Sequence, residues 1–296
     1  MTIDTLETVP LEHDRVSVGE VTLHVVCAGP KEGTPVILLH GFPEFWYGWR
    51  HQIPALALAG YRVIVPDQRG YNTSDKPDDV RAYRVDALAD DVLGLMDVYG
   101  LERACVVGHD WGAAVAWRTA GRAPERVERL AILNVPHPSV MMKTLRSDPR
   151  QLMRSWYMFF FQLPWAPEAL LGRKGAAGLA GMMRKSSIPG SFPREDLALY
   201  RDAWTQPGAI RAMLGWYRAM MRHPAPPIDD VIQPRTLVLW GKRDTALGSA
   251  MVQPSVEMCR DGELVWFPEA THWVQHDAAE QVNEALLRFL EDRGRS

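Results

Sequence analysis

Residues 108–112 read Gly-His-Asp-Trp-Gly, directly after the apolar run Cys105-Val106-Val107. This is the strand–Gly-x-nucleophile-x-Gly–helix spacing of a nucleophile elbow, where a sharp turn lifts the central side chain clear of a sheet. The central residue here is Asp110. A serine at such a turn attacks an acyl carbon. A carboxylate instead attacks an electrophilic sp³ carbon and becomes an alkyl ester, which water must then cleave. The residue type therefore points to epoxides and alkyl halides rather than to esters and amides.

Cleaving that ester requires a base that activates water. In the hydrolase chain order of nucleophile, acid and histidine, the run Thr236–Trp240 ends in Gly-Lys-Arg-Asp, which supplies Asp244 as the orienting acid. The run Leu264–Phe267 is followed by Glu-Ala-Thr-His-Trp, which supplies His272 as the general base. Of the other histidines, His276 reads as a surface residue at a helix start, and His109 as a residue that stabilises the turn. His137 lies on the loop entering the insertion, where it is a lesser candidate to support the site, and His13, His24, His51 and His223 fall at edges or helix faces. Asn134, at the end of a strand-like run, can orient a neighbour but carries no charge. Glu257 and Glu263 read as surface acids.

The ester's oxyanion needs two backbone N–H donors. One is expected from Trp111, after the nucleophile, and one from Phe42, in His40-Gly-Phe-Pro-Glu44 after the run Val36–Leu39. Glu44 could help hold the water, although a carboxylate at a helix start is also stabilised by the helix dipole.

These residues hang on an alternation of two patterns. Short β-branched runs lie at Arg15–Val18, Val21–Val26, Val36–Leu39, Arg62–Val65, Ala104–Val107, Leu130–Leu133, Thr236–Trp240 and Leu264–Phe267. Helix-like stretches lie at Trp46–Leu58, Val85–Tyr99, Trp111–Ala123, Ala250–Met258 and Ala278–Leu290. The alternation predicts an α/β fold with a mostly parallel sheet flanked by helices. Gly19-Glu20 joins the first two runs as a hairpin. Residues 139–228 break the pattern: they hold no β-branched run but carry 9 of the 13 methionines and 4 of the 11 tryptophans. They read as a helical cap over the carboxyl ends of the strands, with an apolar, adaptable underside. The expected division is a core of residues 1–138 and 229–296 with this cap inserted.

Composition limits the alternatives. The 296 residues carry a net charge of −3, and no basic tract suggests nucleic acid or an anionic membrane. The first residues lack the apolar stretch of a secretory signal, and no run is long and apolar enough to span a bilayer. Cys27, Cys105 and Cys259 suit free thiols in a reducing cytoplasm. No Cys-x-x-Cys or phosphate-binding loop calls for a metal or a cofactor. The expected partners are a small apolar substrate and water, with a homodimer left open.

On these motifs, together with Asp67-Gln-Arg-Gly-Tyr71 and Asn134–Pro138, the chain resembles the epoxide hydrolases of the α/β-hydrolase superfamily over nearly its whole length. The resemblance implies two cap tyrosines that donate to the epoxide oxygen. Tyr157, in Tyr-x-x-x-Phe-Gln, and Tyr217, in Trp-Tyr-Arg, match them. It also brings His40, Glu44, Phe161, Trp216 and Trp273 to the substrate or the water. Chemistry supports the phenol pair independently, since ring opening leaves an alkoxide that needs an acid. The main alternative is a haloalkane dehalogenase with the same nucleophile, but Phe42 offers no side-chain donor for a halide. A serine esterase lacks its serine, and a non-enzymatic binding protein on this scaffold would leave the complete set of roles unexplained.

Overall fold

The computed structural model describes residues 5–228 and 231–291. Eight strands form one sheet: β1 Glu12–Val18, β2 Val21–Ala28, β3 Pro35–Leu39, β4 Arg62–Pro66, β5 Ala104–His109, β6 Val127–Leu133, β7 Arg235–Gly241 and β8 Gly262–Phe267. Their order is β1-β2-β4-β3-β5-β6-β7-β8. β1 and β2 form the expected hairpin, with Val18 opposite Val21, and β2 pairs antiparallel with β4. The remaining pairs are parallel.

The helices before the sixth strand's end are α1 Gln52–Leu58, α2 Val85–Val98 and α3 Trp111–Arg122. Between β6 and β7 come α4 Pro138–Ser147, α5 Pro149–Arg154, α6 Trp156–Phe160, α7 Ala166–Ser186, α8 Arg194–Trp204 and α9 Ala209–Arg222. The chain closes with α10 Val252–Val256, α11 Val274–Asp277 and α12 Ala279–Glu291. α7 is broken at Arg173–Ala176, where the backbone leaves helical geometry.

The strands are apolar almost throughout because both faces of the sheet are covered. Alternate residues serve opposite cores. Ile37, Leu39 and Val106 pack into one core with Leu88 and Val92 of α2 and Val115 of α3. Val36, Leu38 and Val107 pack into the other with Ile53 and Leu56 of α1 and Leu286 and Phe289 of α12. Cys105 is buried, Cys27 and Cys259 are half-buried, and all three are free thiols.

Two helices differ from their sequence patterns. Trp46–Leu58 is not one helix: a 3-10 turn at Trp46–Trp49 precedes α1, and Pro54 falls in the first turn of α1, where its missing N–H costs nothing. The pattern over Ala250–Met258 shrinks to α10, again with proline in its first turn. Between β6 and β7 the described residues contain helices, turns and loops, with a lone β-bridge from Ile232 to Cys259, and α4 begins one residue before the expected boundary, with Pro138 in its first turn. The expected far boundary at 229, and the first residues of the chain, lie outside the described residues.

The chain winds one way from β3 to β4 and the other way from β5 onward, so β3 and β5 flank a topological switch point. Crevices form there at the carboxyl ends of parallel strands. Residues 42, 110, 134, 244 and 272 each follow the carboxyl end of one of the five successive neighbours β3, β5, β6, β7 and β8.

Candidate active site

The turn after β5 holds Asp110 at φ 50°, ψ −123°, a region that non-glycine residues enter at a cost of about 1–3 kcal/mol. The flanking glycines make the turn sterically possible. A Cβ on Gly108 would lie 2.4 Å from the Gly112 carbonyl oxygen, and one on Gly112 would lie 2.0 Å from the Leu39 carbonyl oxygen. A Cβ on Gly41 would lie 2.3 Å from the Cβ of Asp110, so the loop after β3 can approach only as glycine.

That approach brings the Phe42 N–H onto Asp110 Oδ1 at 2.7 Å. The other carboxylate oxygen, Oδ2, lies 3.3 Å from Nε2 of His272. On the far side of the ring, Nδ1 of His272 donates to Asp244 Oδ2 at 2.8 Å. Asp244 is fixed in turn by the N–H groups of Ala246 and Leu247 on Oδ1, at 2.8 and 2.9 Å. Asn134 does orient a neighbour: its amide donates to Asp244 Oδ2 at 2.9 Å and accepts from the Gly241 N–H at 2.9 Å.

Burial opposes the charge on all three members, but their mutual attraction outweighs it. His272 holds Asp110 below the ordinary carboxylate range, and it does the same for Asp244. Burial likewise disfavours the imidazolium, yet Asp244 and Asp110 together raise His272 to about 10. The arrangement therefore favours an imidazolium between two carboxylates in the resting site.

Asp110 and Trp111 open onto a cavity of about 790 Å³. Tyr157 of α6 and Tyr217 of α9 share its wall with Trp216, Met141 and Leu247. The two phenol rings lie 6.0 Å apart and nearly perpendicular, and Tyr217 meets Trp111 edge-on at 5.0 Å. Burial, reinforced by the nearby Asp110 charge, pushes both phenols above their ordinary value, so they remain protonated donors. The two helices are braced by residues given no role in the sequence reading. Gln162 donates to the Tyr217 carbonyl at 2.9 Å. The buried Arg218 donates to the carbonyls of Phe161 and Leu163, at 3.0 and 2.7 Å, and pairs with Glu168 at 2.6 Å. Both stood beside the tyrosines in the sequence patterns, and that adjacency was the signal available for them.

Other residues expected at the substrate or the water serve elsewhere. His40 faces away from the cavity: its ring engages the Gly41 carbonyl at 3.1 Å and accepts from the Gln68 N–H at 3.1 Å. Phe161 packs behind the phenols, 4.9 Å from the Tyr217 ring, and the Trp273 indole donates to Ser186 at 2.8 Å. Trp216 does line the cavity and also donates to the Arg69 carbonyl at 3.1 Å.

Glu44 and His276 correct the sequence reading most. Glu44 is buried beneath the site, where it accepts from Tyr200 at 2.7 Å and from Gln275 at 2.9 Å. His276 is not a surface residue. It is buried on α11, with Nε2 on Glu44 Oε1 at 2.7 Å and Nδ1 facing Arg50 at 3.0 Å. Since Arg50 can only donate, His276 accepts at Nδ1 and donates from Nε2. Burial would raise Glu44, but the His276 and His109 side chains beside it hold it well below the usual carboxylate range. Arg50 also reaches the helical segment, pairing with Asp196 of α8 at 2.8 Å and donating to the Ser191 carbonyl at 2.9 Å. His109 joins this network to the triad. Gln275 donates to its Nδ1 at 2.9 Å, and its Nε2 binds the His272 carbonyl at 2.8 Å. Spacing along the chain could not reveal a cluster drawn from four separate segments.

Comparisons with known proteins show the family to which this fold belongs. A family model for the alpha/beta hydrolase fold matches residues 34–279. The chain is 43% identical to the AB hydrolase superfamily protein YfhM of Bacillus subtilis, over 94% of this chain and 97% of that one. It is 34% identical to Epoxide hydrolase 2 of Caenorhabditis elegans, over 95% of this chain and 80% of that one. Among solved structures, the epoxide hydrolase of Bacillus megaterium in complex with an inhibitor superposes with a TM-score of 0.86 at 29% identity, covering 94% of this chain and 99% of that one. With its eight-stranded sheet and the relatives it matches along nearly its full length, the chain belongs to the α/β-hydrolase family and, within it, to the epoxide hydrolases.

Proposed function

We propose that this protein hydrolyses epoxides to vicinal diols through a covalent ester on Asp110, with residues 139–228 acting as a cap over the site. One observation carries the reading: Asp110, backed by His272 at 3.3 Å, shares its cavity with the paired phenols of Tyr157 and Tyr217.

The epoxide docks with its oxygen toward the two phenols. A carboxylate oxygen of Asp110 attacks one ring carbon, the C–O bond breaks, and the phenols stabilise the alkoxide as it forms. Esterification removes the Asp110 charge, one of the two anions that hold the proton on His272. The imidazolium can then release its proton, which offsets the one needed to complete the product hydroxyl. Neutral His272, held by Asp244, next deprotonates a water that attacks the ester carbonyl. The Phe42 and Trp111 N–H groups hold the oxyanion, and collapse of the intermediate releases the diol.

The same nucleophile could displace a halide, but the Phe42 side chain, edge-on to Tyr217 at 5.3 Å, offers no second halide donor. The test is intact-protein mass spectrometry of His272→Gln after addition of an aryl or alkyl epoxide. A stable adduct of protein plus epoxide, mapped to Asp110, is expected. An unmodified protein, or halide release from haloalkanes without diol formation, would overturn the reading.

A further inference from the structure

The outer surface of the cap segment has a composition unlike the rest of the molecule. Of the thirteen large hydrophobic side chains exposed among the described residues, nine lie between Met142 and Met182. They include Met153, Trp156, Phe159 and Trp165, with Trp156 63% and Trp165 81% exposed. Between residues 143 and 185 the sequence also carries eight lysines and arginines against two acids, in a chain whose total charge is −3. All eight cations are exposed, and among the described residues none of them is ion-paired. The overall negative charge thus conceals a segment that presents cations and large apolar side chains to the outside together.

We propose that this face, built on α4 to α7, docks the protein reversibly onto an anionic phospholipid surface. Tryptophan and phenylalanine flanked by unpaired lysine and arginine is the composition of interfacial membrane-binding helices: the rings enter the headgroup boundary while the cations meet lipid phosphates. Nine exposed large hydrophobic side chains within residues 142–182 is a concentration of apolar surface that calls for a partner. A second copy of the chain is the poorer occupant, because a twofold contact would press one net-positive face against another. No helix among the described residues is long and apolar enough to cross a membrane, so the attachment is peripheral.

Given the proposed function, the position of the face also suits the reaction. Met142, Lys143 and Arg146 of α4 line the rim of the active-site cavity. α6 turns Tyr157 toward that cavity while exposing Trp156 and Phe159 on its other side. Docking would open the cavity toward the phase in which apolar epoxides accumulate.

The test is co-sedimentation of the full chain with sucrose-loaded vesicles, which reads binding and not catalysis, so it can fail or succeed independently of the epoxide reading. The protein should sediment with phosphatidylcholine–phosphatidylglycerol vesicles, remain in solution with phosphatidylcholine alone, and be released in about 1 M salt. The double variants Trp156→Ser/Trp165→Ser and Arg150→Glu/Arg154→Glu should each weaken binding by about tenfold or more. Thermal unfolding and turnover of a small soluble epoxide should stay unchanged in both. Failure to sediment with the anionic vesicles, or equal binding by the variants, overturns the proposal. So does a wild-type dimer in analytical ultracentrifugation that the tryptophan variant dissociates while vesicles bind neither.

Discussion

The Phe42 N–H donates to Oδ1 of Asp110 at 2.7 Å, so the donor proposed for the ester oxyanion already holds the proposed nucleophile in the resting protein. This contact depends on Gly41, where a Cβ would fall 2.3 Å from the Cβ of Asp110 and 2.5 Å from its Oδ1. Gly41→Ala should lower kcat/KM by about 10²-fold or more by displacing the loop. It should also destabilise the fold by about 1–3 kcal/mol through overpacking. Steady-state kinetics and urea unfolding measure the two effects, and unchanged kinetics would show that the loop position does not matter.

The phenols should act on ring opening and not on ester hydrolysis. Tyr157→Phe and Tyr217→Phe should each slow formation of the Asp110 ester by about 10²-fold, in line with loss of one oxyanion donor. Decay of a preformed ester should change little. Rapid-quench single-turnover experiments separate the two steps, and equal losses in both would count against the assigned role.

Two carboxylates favour the proton on His272, and in the proposed mechanism one of them becomes a neutral ester. Asp110→Asn, which mimics the neutral ester, should lower the titration of His272 from about 10 toward its ordinary value. NMR titration of the imidazole carbons reads this directly. If His272 titrates unchanged in the variant, the Asp110 charge does not control its proton.

The same shifts set a pH profile for stability. His272 is raised from 6.5 to about 10, so its contribution is complete below pH 6.5 and is lost as pH rises through 10. Asp110 and Asp244 are lowered from 3.8, so theirs is present above that value and is lost as pH falls through their depressed values. These groups together support a plateau from about pH 4 to 6.5, with a decline on either side. His272→Gln should flatten the alkaline decline in urea unfolding measured across pH.

Glu44 tests the buried network beneath the site. Glu44→Ala leaves Tyr200, Gln275 and His276 without their shared acceptor and should cost about 3–5 kcal/mol of stability. Because the mechanism routes no proton through Glu44, the ester should still form and turn over in the folded variant, unlike in His272→Gln. Denaturant unfolding followed by an adduct assay distinguishes the two effects.

Much of this molecule can be read along the chain because its signals are local. The strand runs are visible because sheet burial on both faces demands continuous apolar residues. The elbow is visible because only glycine fits at positions 108 and 112 around a left-handed Asp110. The order Asp110, Asp244, His272 follows from the order of the strands that carry them. Tyr157 and Tyr217 were found by pattern, but only the packing of α6 against α9 places their rings 6.0 Å apart.

Properties that depend on distant segments meeting had no linear signature. His276 looked like a surface residue because its neighbours are polar. In the fold, those neighbours and Glu44, Arg50 and Asp196 enclose one another, and mutual pairing makes their burial tolerable. Exposure behaves similarly: the excess of cations in residues 143–185 is visible along the chain, but only the fold shows that they and the neighbouring large apolar side chains face outward. Sequence alone therefore determined the architecture and the groups gathered at the carboxyl ends of the strands, through periodicity and steric necessity. Only the tertiary structure decided which polar residues are buried together, since that depends on contacts between residues far apart in the chain, and which side chains of residues 142–185 face outward.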